Sequence, residues 1–241
     1  MATAAHRRDL RWEGCFNVRD LGGLPTRDGR ETRFGAVVRA DNPGRLTRGG
    51  VDALRDHGVR SVVDLRDPQE LADGRPLLEA GGLHYVNVPV FDFADEAFWA
   101  GWRGVHDTSR FYGDAVEHWS DRFAAAVAAV ARAPDGGVLV HCEAGRDRTG
   151  LVCALLLGVA GVGADDIAAD YAFSAERLQP LYDEWLRTAQ DPRERARLER
   201  ENVSEASAML AVLEDLDVDA YLLDAGATHD DLERVRERLL A

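Results

Sequence analysis

The sequence predicts an α/β fold, a mainly parallel sheet of four or five strands flanked by helices, in a single domain. Three observations predict it. Short apolar, β-branched runs alternate with longer amphipathic stretches, the pattern of strand–helix–strand units. The length of 241 residues suits one such domain, and an apolar content of 46% is enough to bury a substantial core. Finally, the apolar run at 138–141 meets a glycine-bearing turn and then an apolar helical stretch, as a parallel strand feeding a helix does.

The elements follow in order. Residues 14–35, rich in Gly, Asp and Arg, suggest turns and short strands, with Asp28-Gly29 as a hairpin signal. A strand is expected at 33–39. Thr47 caps a helix running to about His57 and stopping at Gly58. Residues 60–66 and 83–89 read as short strands. Residues 91–108 are expected as one long loop bearing Asp92, Asp95, Phe98, Trp99 and Trp102. One long amphipathic helix is expected from Ser109 to Arg132, broken by Pro134, Gly136 and Gly137. After the strand at 138–141 come helices at about 149–159 and 165–188. The highly charged stretch 190–201 reads as a solvated helix or mobile segment. Two helices, about 204–215 and 228–240, close the chain.

Composition excludes several classes. The net charge of −14 repels nucleic acid and anionic membranes, so no nucleic-acid partner is expected. No run is long and apolar enough for a membrane span, and residues 1–10 hold no apolar signal core; a cytoplasmic protein is expected. Three cysteines, Cys15, Cys142 and Cys153, point to a reactive thiol more than to a disulfide framework. All 29 basic residues are Arg; Lys is absent.

The chemistry sits in His-Cys-Glu-Ala-Gly-Arg-Asp-Arg-Thr-Gly at 141–150. A strand end launching a tight loop into a helix N-terminus turns backbone N–H groups and the helix dipole toward one point, which makes an anion site. The loop residues Glu143, Ala144, Gly145, Arg146, Asp147 and Arg148 are the phosphate-binding candidates. Arg148 offers a planar fork to two phosphate oxygens. Cys142 lies in the same field, where a thiolate is favoured, and is the nucleophile. Thr149 is placed to donate to the departing sulfur, Gly145 supplies backbone freedom, and His141 orders the loop by hydrogen bonding. The expected reaction is phosphate-monoester hydrolysis through a cysteinyl-phosphate, with no metal and no cofactor.

The leaving oxygen needs a proton. Asp92, opening the loop after the strand at 83–89, is one candidate donor, because that strand end falls on the same rim as Cys142. Asp147 is the other, acting as acid or as the group that orients water. Asp95 and Asp107 are weaker candidates, and a solvated carboxylate is the bland alternative for each.

On these motifs the chain resembles the bacterial tyrosine phosphatases of the PtpB type, within the Cys-x5-Arg phosphatases. Asn-Val-Arg-Asp-Leu-Gly-Gly at 17–23, Val-Asp-Leu-Arg at 63–66 followed by Glu70, Pro-Val-Phe-Asp at 89–92, Ala-Asp-Tyr at 169–171 and Ala-Tyr-Leu-Leu-Asp-Ala-Gly at 220–226 are similar to that family's segments. The resemblance implies a single-domain cysteine phosphatase fold over 1–241, helices in 170–202 that cover the pocket as a lid, and Arg66 as a contact for substrate or loop. Arg146 stands where the family places Lys; in a chain without Lys this says nothing about substrate.

The implied partner is a phosphorylated substrate, most directly phosphotyrosine in protein. A sugar or nucleoside monophosphate is the alternative, and phosphoinositides or a non-catalytic phosphate-binding role lie further off.

Overall fold

The computed structural model describes residues 8–73, 82–105, 107–201 and 205–240. Five strands make one sheet in the order β1-β2-β5-β3-β4. These are β1 (Arg19–Asp20), β2 (Val37–Ala40), β3 (Val59–Asp64), β4 (His84–Asn87) and β5 (Gly137–His141). Only the β1–β2 pair is antiparallel; β2, β5, β3 and β4 run parallel. Central β5 is buried along its whole length, as expected of a parallel strand covered on both faces. Its last residue, His141, is flanked in register by Ala40 and Asp64. The C-terminal ends of three strands therefore converge on the start of the 142–146 loop.

The helices are α1 (Arg48–Asp56), α2 (Glu96–Trp102), α3 (Thr108–His118), α4 (Ser120–Ala131), α5 (Asp147–Val159), α6 (Ala164–Thr188), α7 (Pro192–Glu201), α8 (Ala206–Leu213), α9 (Val218–Asp224) and α10 (His229–Leu239). On one sheet face Val38, Val62 and Leu139 pack with Trp12, Val51 and Leu54 beneath α1. On the other, Val37, Val63, Val138 and Val140 pack with α4, α5 and α10. The alternation of Val37 and Val38 between the two cores is the period-two rule of a strand. Thr47 caps α1 by accepting from the Gly50 N–H, and Gly58 ends it at φ +94°, as expected.

Four expectations need correction. The stretch 91–108 is not one loop. Asp95 accepts the Phe98 N–H and starts α2, whose Phe98, Trp99 and Trp102 pack on Phe111 of α3, a contact that local sequence does not reveal. The long helix at 109–132 is two helices, because Trp119 leaves helical geometry at ψ 35° and sets its ring 5.1 Å from Phe91 and 4.2 Å from Phe98. The strand expected at 33–39 begins only at Val37, after Gly35 turns at φ +76°. Among the described residues the C-terminal region holds a further helix, α9, capped by Asp217. The charged stretch 190–201 is helical as α7.

Within 170–202, α6 and α7 share a small apolar cluster. Leu178, Leu181, Tyr182 and Leu198 pack together, with Phe16 and the loop residue Ala144 against them.

Candidate active site

The loop after β5 is shaped by what its carbonyls touch. His141 Nδ1 donates to the Cys142 carbonyl at 3.0 Å. The Asn42 N–H donates to the Glu143 carbonyl at 2.9 Å. Asn17 Nδ2 donates to the carbonyls of Ala144 and Gly145, both at 3.0 Å. Arg39 Nη2 donates to the Gly145 carbonyl as well, at 2.8 Å. In a planar trans peptide the N–H points opposite to the C=O. Four consecutive carbonyls held from outside therefore turn the amides of residues 143–146 to the inside, next to the N-terminus of α5. That is the donor arrangement of a phosphate cradle. Gly145 is required twice over: its φ is +65°, and a Cβ there would lie 2.2 Å from the Ala40 carbonyl oxygen.

Cys142 is only 2% exposed at the base of this loop. Arg148, the second residue of α5, is 8% exposed and bonds Glu70 with both terminal nitrogens, Nη2 to Oε1 at 2.9 Å. Glu70 Oε2 also accepts the Asp67 N–H at 2.9 Å. The Arg148 guanidinium sits 5.9 Å from the Phe91 ring centre and 5.5 Å from that of Phe93. Burial works against its charge, but the Cys142 sulfur and Glu70 more than offset that and hold the guanidinium above its ordinary range. The Thr149 hydroxyl, fully buried, has no hydrogen-bond partner among the described residues.

His141 is neutral at any ordinary pH, because burial pushes it down to about 4 against the pull of Asp64. Asp64 grips Arg66 with both oxygens, Nε to Oδ1 at 3.0 Å and Nη2 to Oδ2 at 2.7 Å. Arg66 is itself buried and lies 3.6 Å from the Glu143 carboxylate, which also accepts from Asn42 Nδ2 at 3.0 Å. Arg66 thus faces the loop from behind, and the Glu143 side chain faces Arg66 and Asn42.

Asp147 and Arg146 form a second cluster. Arg146 Nε lies 3.1 Å from Asp147 Oδ1, and Nη1 donates to the Tyr182 hydroxyl of α6 at 2.9 Å. The Tyr112 hydroxyl of α3 donates to Asp147 Oδ1 and lies 2.7 Å from the Tyr171 hydroxyl of α6. Desolvation would raise Asp147, but Arg146 and the Tyr112 hydrogen bond outweigh it, and the carboxyl is held below its usual range. Asp147 is therefore ionised near neutral pH.

Asp92 lies between Phe91 and Phe93, whose rings flank Arg148, yet its own carboxylate is engaged elsewhere. Oδ2 pairs with Arg122 Nη2 of α4 at 2.6 Å, and Oδ1 accepts the Ala94 N–H at 2.9 Å. Asp95 and Asp107 serve as helix caps, for α2 and α3.

Several site residues escaped sequence reasoning. Glu70, Asn17, Arg39 and Tyr112 come from distant segments and carry no local signature of their roles. Asn17 is itself set by Asp41, which accepts the Phe16 and Asn17 N–H groups at 2.9 and 2.8 Å. Burial pushes Asp41 up to about 6. Arg39 belongs to a buried group in which Asp170 pairs with Arg19 at 3.0 Å and with Arg39 at 2.7 Å, joined by Arg8. The only sequence signal for Asn17, Glu70 and Asp170 was that they lie in the segments resembling the PtpB-type phosphatases.

Known proteins resemble this chain in sequence. The tyrosine phosphatase family pattern matches residues 10–241. A protein of Cupriavidus necator named among the tyrosine-protein phosphatases is 35% identical over 188 residues, 73% of this chain and 66% of its own length. A tyrosine-protein phosphatase of Nostoc commune is 34% identical over 146 residues, 60% of this chain and 50% of its own. The triple specificity protein phosphatase PtpB of Mycobacterium tuberculosis is 30% identical over 200 residues, 70% of each chain. The chain spans between half and 70% of the length of these relatives. With a match that runs from residue 10 to the last residue, the chain belongs to the tyrosine phosphatase family.

Proposed function

We propose that the protein is a phosphate-monoester hydrolase that works through a cysteinyl-phosphate and acts as a protein-tyrosine phosphatase. The observation that carries this reading is the set of four outward-held carbonyls around Cys142, which turns the loop amides inward beside Arg148. The substrate phosphate binds the inward amides, the α5 N-terminus and the Arg148 N–H groups that do not point at Glu70. Cys142 Sγ forms a bond to phosphorus as the bond to the leaving oxygen breaks. These groups supply the charge stabilisation themselves, so the reaction needs no metal.

The two carboxylates divide the proton work. Asp147, held ionised, suits the second half: it takes a proton from water as the water attacks phosphorus and the P–S bond breaks. The sulfur leaves as a thiolate and accepts a hydrogen bond from the Thr149 hydroxyl, which has no other partner among the described residues. Asp92 suits the first half, giving the leaving oxygen its proton once the loop releases it from Arg122. Helices α6 and α7, whose shared apolar cluster packs on Ala144 and whose Tyr182, on α6, accepts from Arg146, serve as the lid.

The aromatic wall favours an aryl phosphate: Phe93 is 40% exposed beside Arg148. The near-complete burial of Cys142 keeps a small phosphate monoester as the alternative substrate. The three free thiols support a reducing, cytoplasmic setting. The test is a panel of phosphotyrosine peptides, p-nitrophenyl phosphate, sugar phosphates, nucleotides and phosphoinositides. Phosphotyrosine peptide should lead, and Cys142→Ser should abolish turnover on every substrate. Turnover retained in that variant would overturn the reading.

A further inference from the structure

Tyr112 lies outside the loop, on α3, and has no place among the phosphate-binding groups. It is nevertheless tied to them. Its hydroxyl donates to Asp147 Oδ1, and that of Tyr171 stands 2.7 Å behind it. Both rings are 1% exposed and meet edge to face, with centres 5.9 Å apart. Two phenols from different helices thus end in series on one carboxylate at the N-terminus of α5. A buried hydrogen bond to a charged acceptor is strong, and both partners are costly to leave unpaired.

The two oxygens of Asp147 are not equivalent. Oδ1 receives Tyr112 and Arg146 Nε, whereas Oδ2, among the described residues, has Arg146 nitrogens only, each at 3.3 Å. The Asp147 side chain keeps 32% exposure. One oxygen is anchored and the other keeps lone-pair capacity for a small donor. Water attacking a cysteinyl-phosphate is such a donor.

We propose that Tyr112, backed by Tyr171, is a positioning residue for breakdown of the cysteinyl-phosphate, fixing Asp147 so that Oδ2 takes the proton of the attacking water. This rests on the reaction assigned above. In the step, the water oxygen bonds to phosphorus, the P–S bond breaks with its electrons going to sulfur, and the water proton goes to Asp147. The charged and titratable groups facing Asp147 are Arg146 from the loop, Arg148 from α5 and Tyr112 from α3, with Tyr171 of α6 behind Tyr112. The Tyr112 bond favours the carboxylate, so its loss makes Asp147 easier to protonate.

The experiment compares wild type, Tyr112→Phe, Tyr171→Phe, Asp147→Asn and Tyr112→Phe/Asp147→Asn on p-nitrophenyl phosphate, by kcat against pH and by rapid-quench burst. Tyr112→Phe should lower kcat about tenfold and move the acid limb of kcat up by about one pH unit. Its burst of p-nitrophenol should keep the wild-type rate, with an amplitude that counts competent sites and so reports intact folding. Tyr171→Phe should move the same limb by less. On the Asp147→Asn background, Tyr112→Phe should change nothing further. An unmoved acid limb, or an equal loss with Asp147 already replaced, overturns the role of Tyr112. Cys142→Ser separates the two levels: activity surviving in it overturns the cysteinyl-phosphate reading instead.

Discussion

Arg148 and Glu70 meet fork to fork, with both terminal guanidinium nitrogens on both carboxylate oxygens. Glu70 is in turn tied to the Asp67 N–H. The proposed phosphate clamp is therefore pre-set by a group from the segment after β3. Glu70→Ala should lower kcat/KM for p-nitrophenyl phosphate by about 10- to 100-fold, since a misplaced catalytic group costs of that order. Glu70→Gln, which keeps the shape and part of the hydrogen bonding, should lose less. Steady-state kinetics on both variants check this, and wild-type kinetics in both would refute it.

Asp92 is held by Arg122, and the proposal needs it as a proton donor. Asp92→Asn should cut turnover by about 10²-fold or more on an alkyl phosphate and much less on p-nitrophenyl phosphate, whose leaving group needs no proton. An equal loss on both substrates, or none on either, removes Asp92 from that role.

Gly145 has no room for a side chain. Gly145→Ala adds a Cβ 2.2 Å from the Ala40 carbonyl oxygen at φ +65°. The backbone conformation alone costs about 1–2 kcal/mol for an L side chain. The clash must also move either the loop or the end of β2. The expected outcome is a Tm lowered by roughly 2–8 °C together with loss of measurable turnover. Calorimetry and a phosphatase assay check the two halves separately.

Asp170 offsets the charges of buried Arg19 and Arg39. Burial alone would raise its carboxyl, but Arg19, Arg39 and Arg8 outweigh burial and hold it far below the carboxylate range. A folded-state value below the unfolded one stabilises the fold above the unfolded value and loses that contribution as pH falls toward the folded one. Urea unfolding of the wild type should therefore weaken below about pH 4. Asp170→Asn, which leaves two buried guanidiniums without a counter-charge, should cost about 3–5 kcal/mol at neutral pH. Its remaining stability should fall less steeply in acid.

Much of the frame was legible because the signals were local. Thr47 and Gly58 bound α1 through their own capping chemistry, and the buried run of β5 needs no partner to be recognised. What local sequence did not reveal was aromatic packing. Residues 91–108 read as a loop and 109–132 as one unbroken helix. In the structure Phe98, Trp99 and Trp102 of α2 and Trp119 from the α3–α4 junction gather around Phe91 and Phe111, and that packing decides where α2 forms and where α3 stops.

The sequence by itself determined the loop: Cys142, Gly145 and Arg148, the proposed nucleophile, turn glycine and phosphate clamp, lie within one contiguous stretch, and a strand end entering a helix forces them around one point. Tertiary structure decided everything that depends on which charges converge from afar. It brought Glu70 to Arg148, Asn17 and Arg39 to the loop carbonyls, and Tyr112 to Asp147. It also set Asp147 apart from Asp92, placing one against a buried phenol and Arg146 and the other in a half-exposed pair with Arg122. A carboxylate's chemistry is set by its burial and its neighbours, and neither is written in the residues beside it.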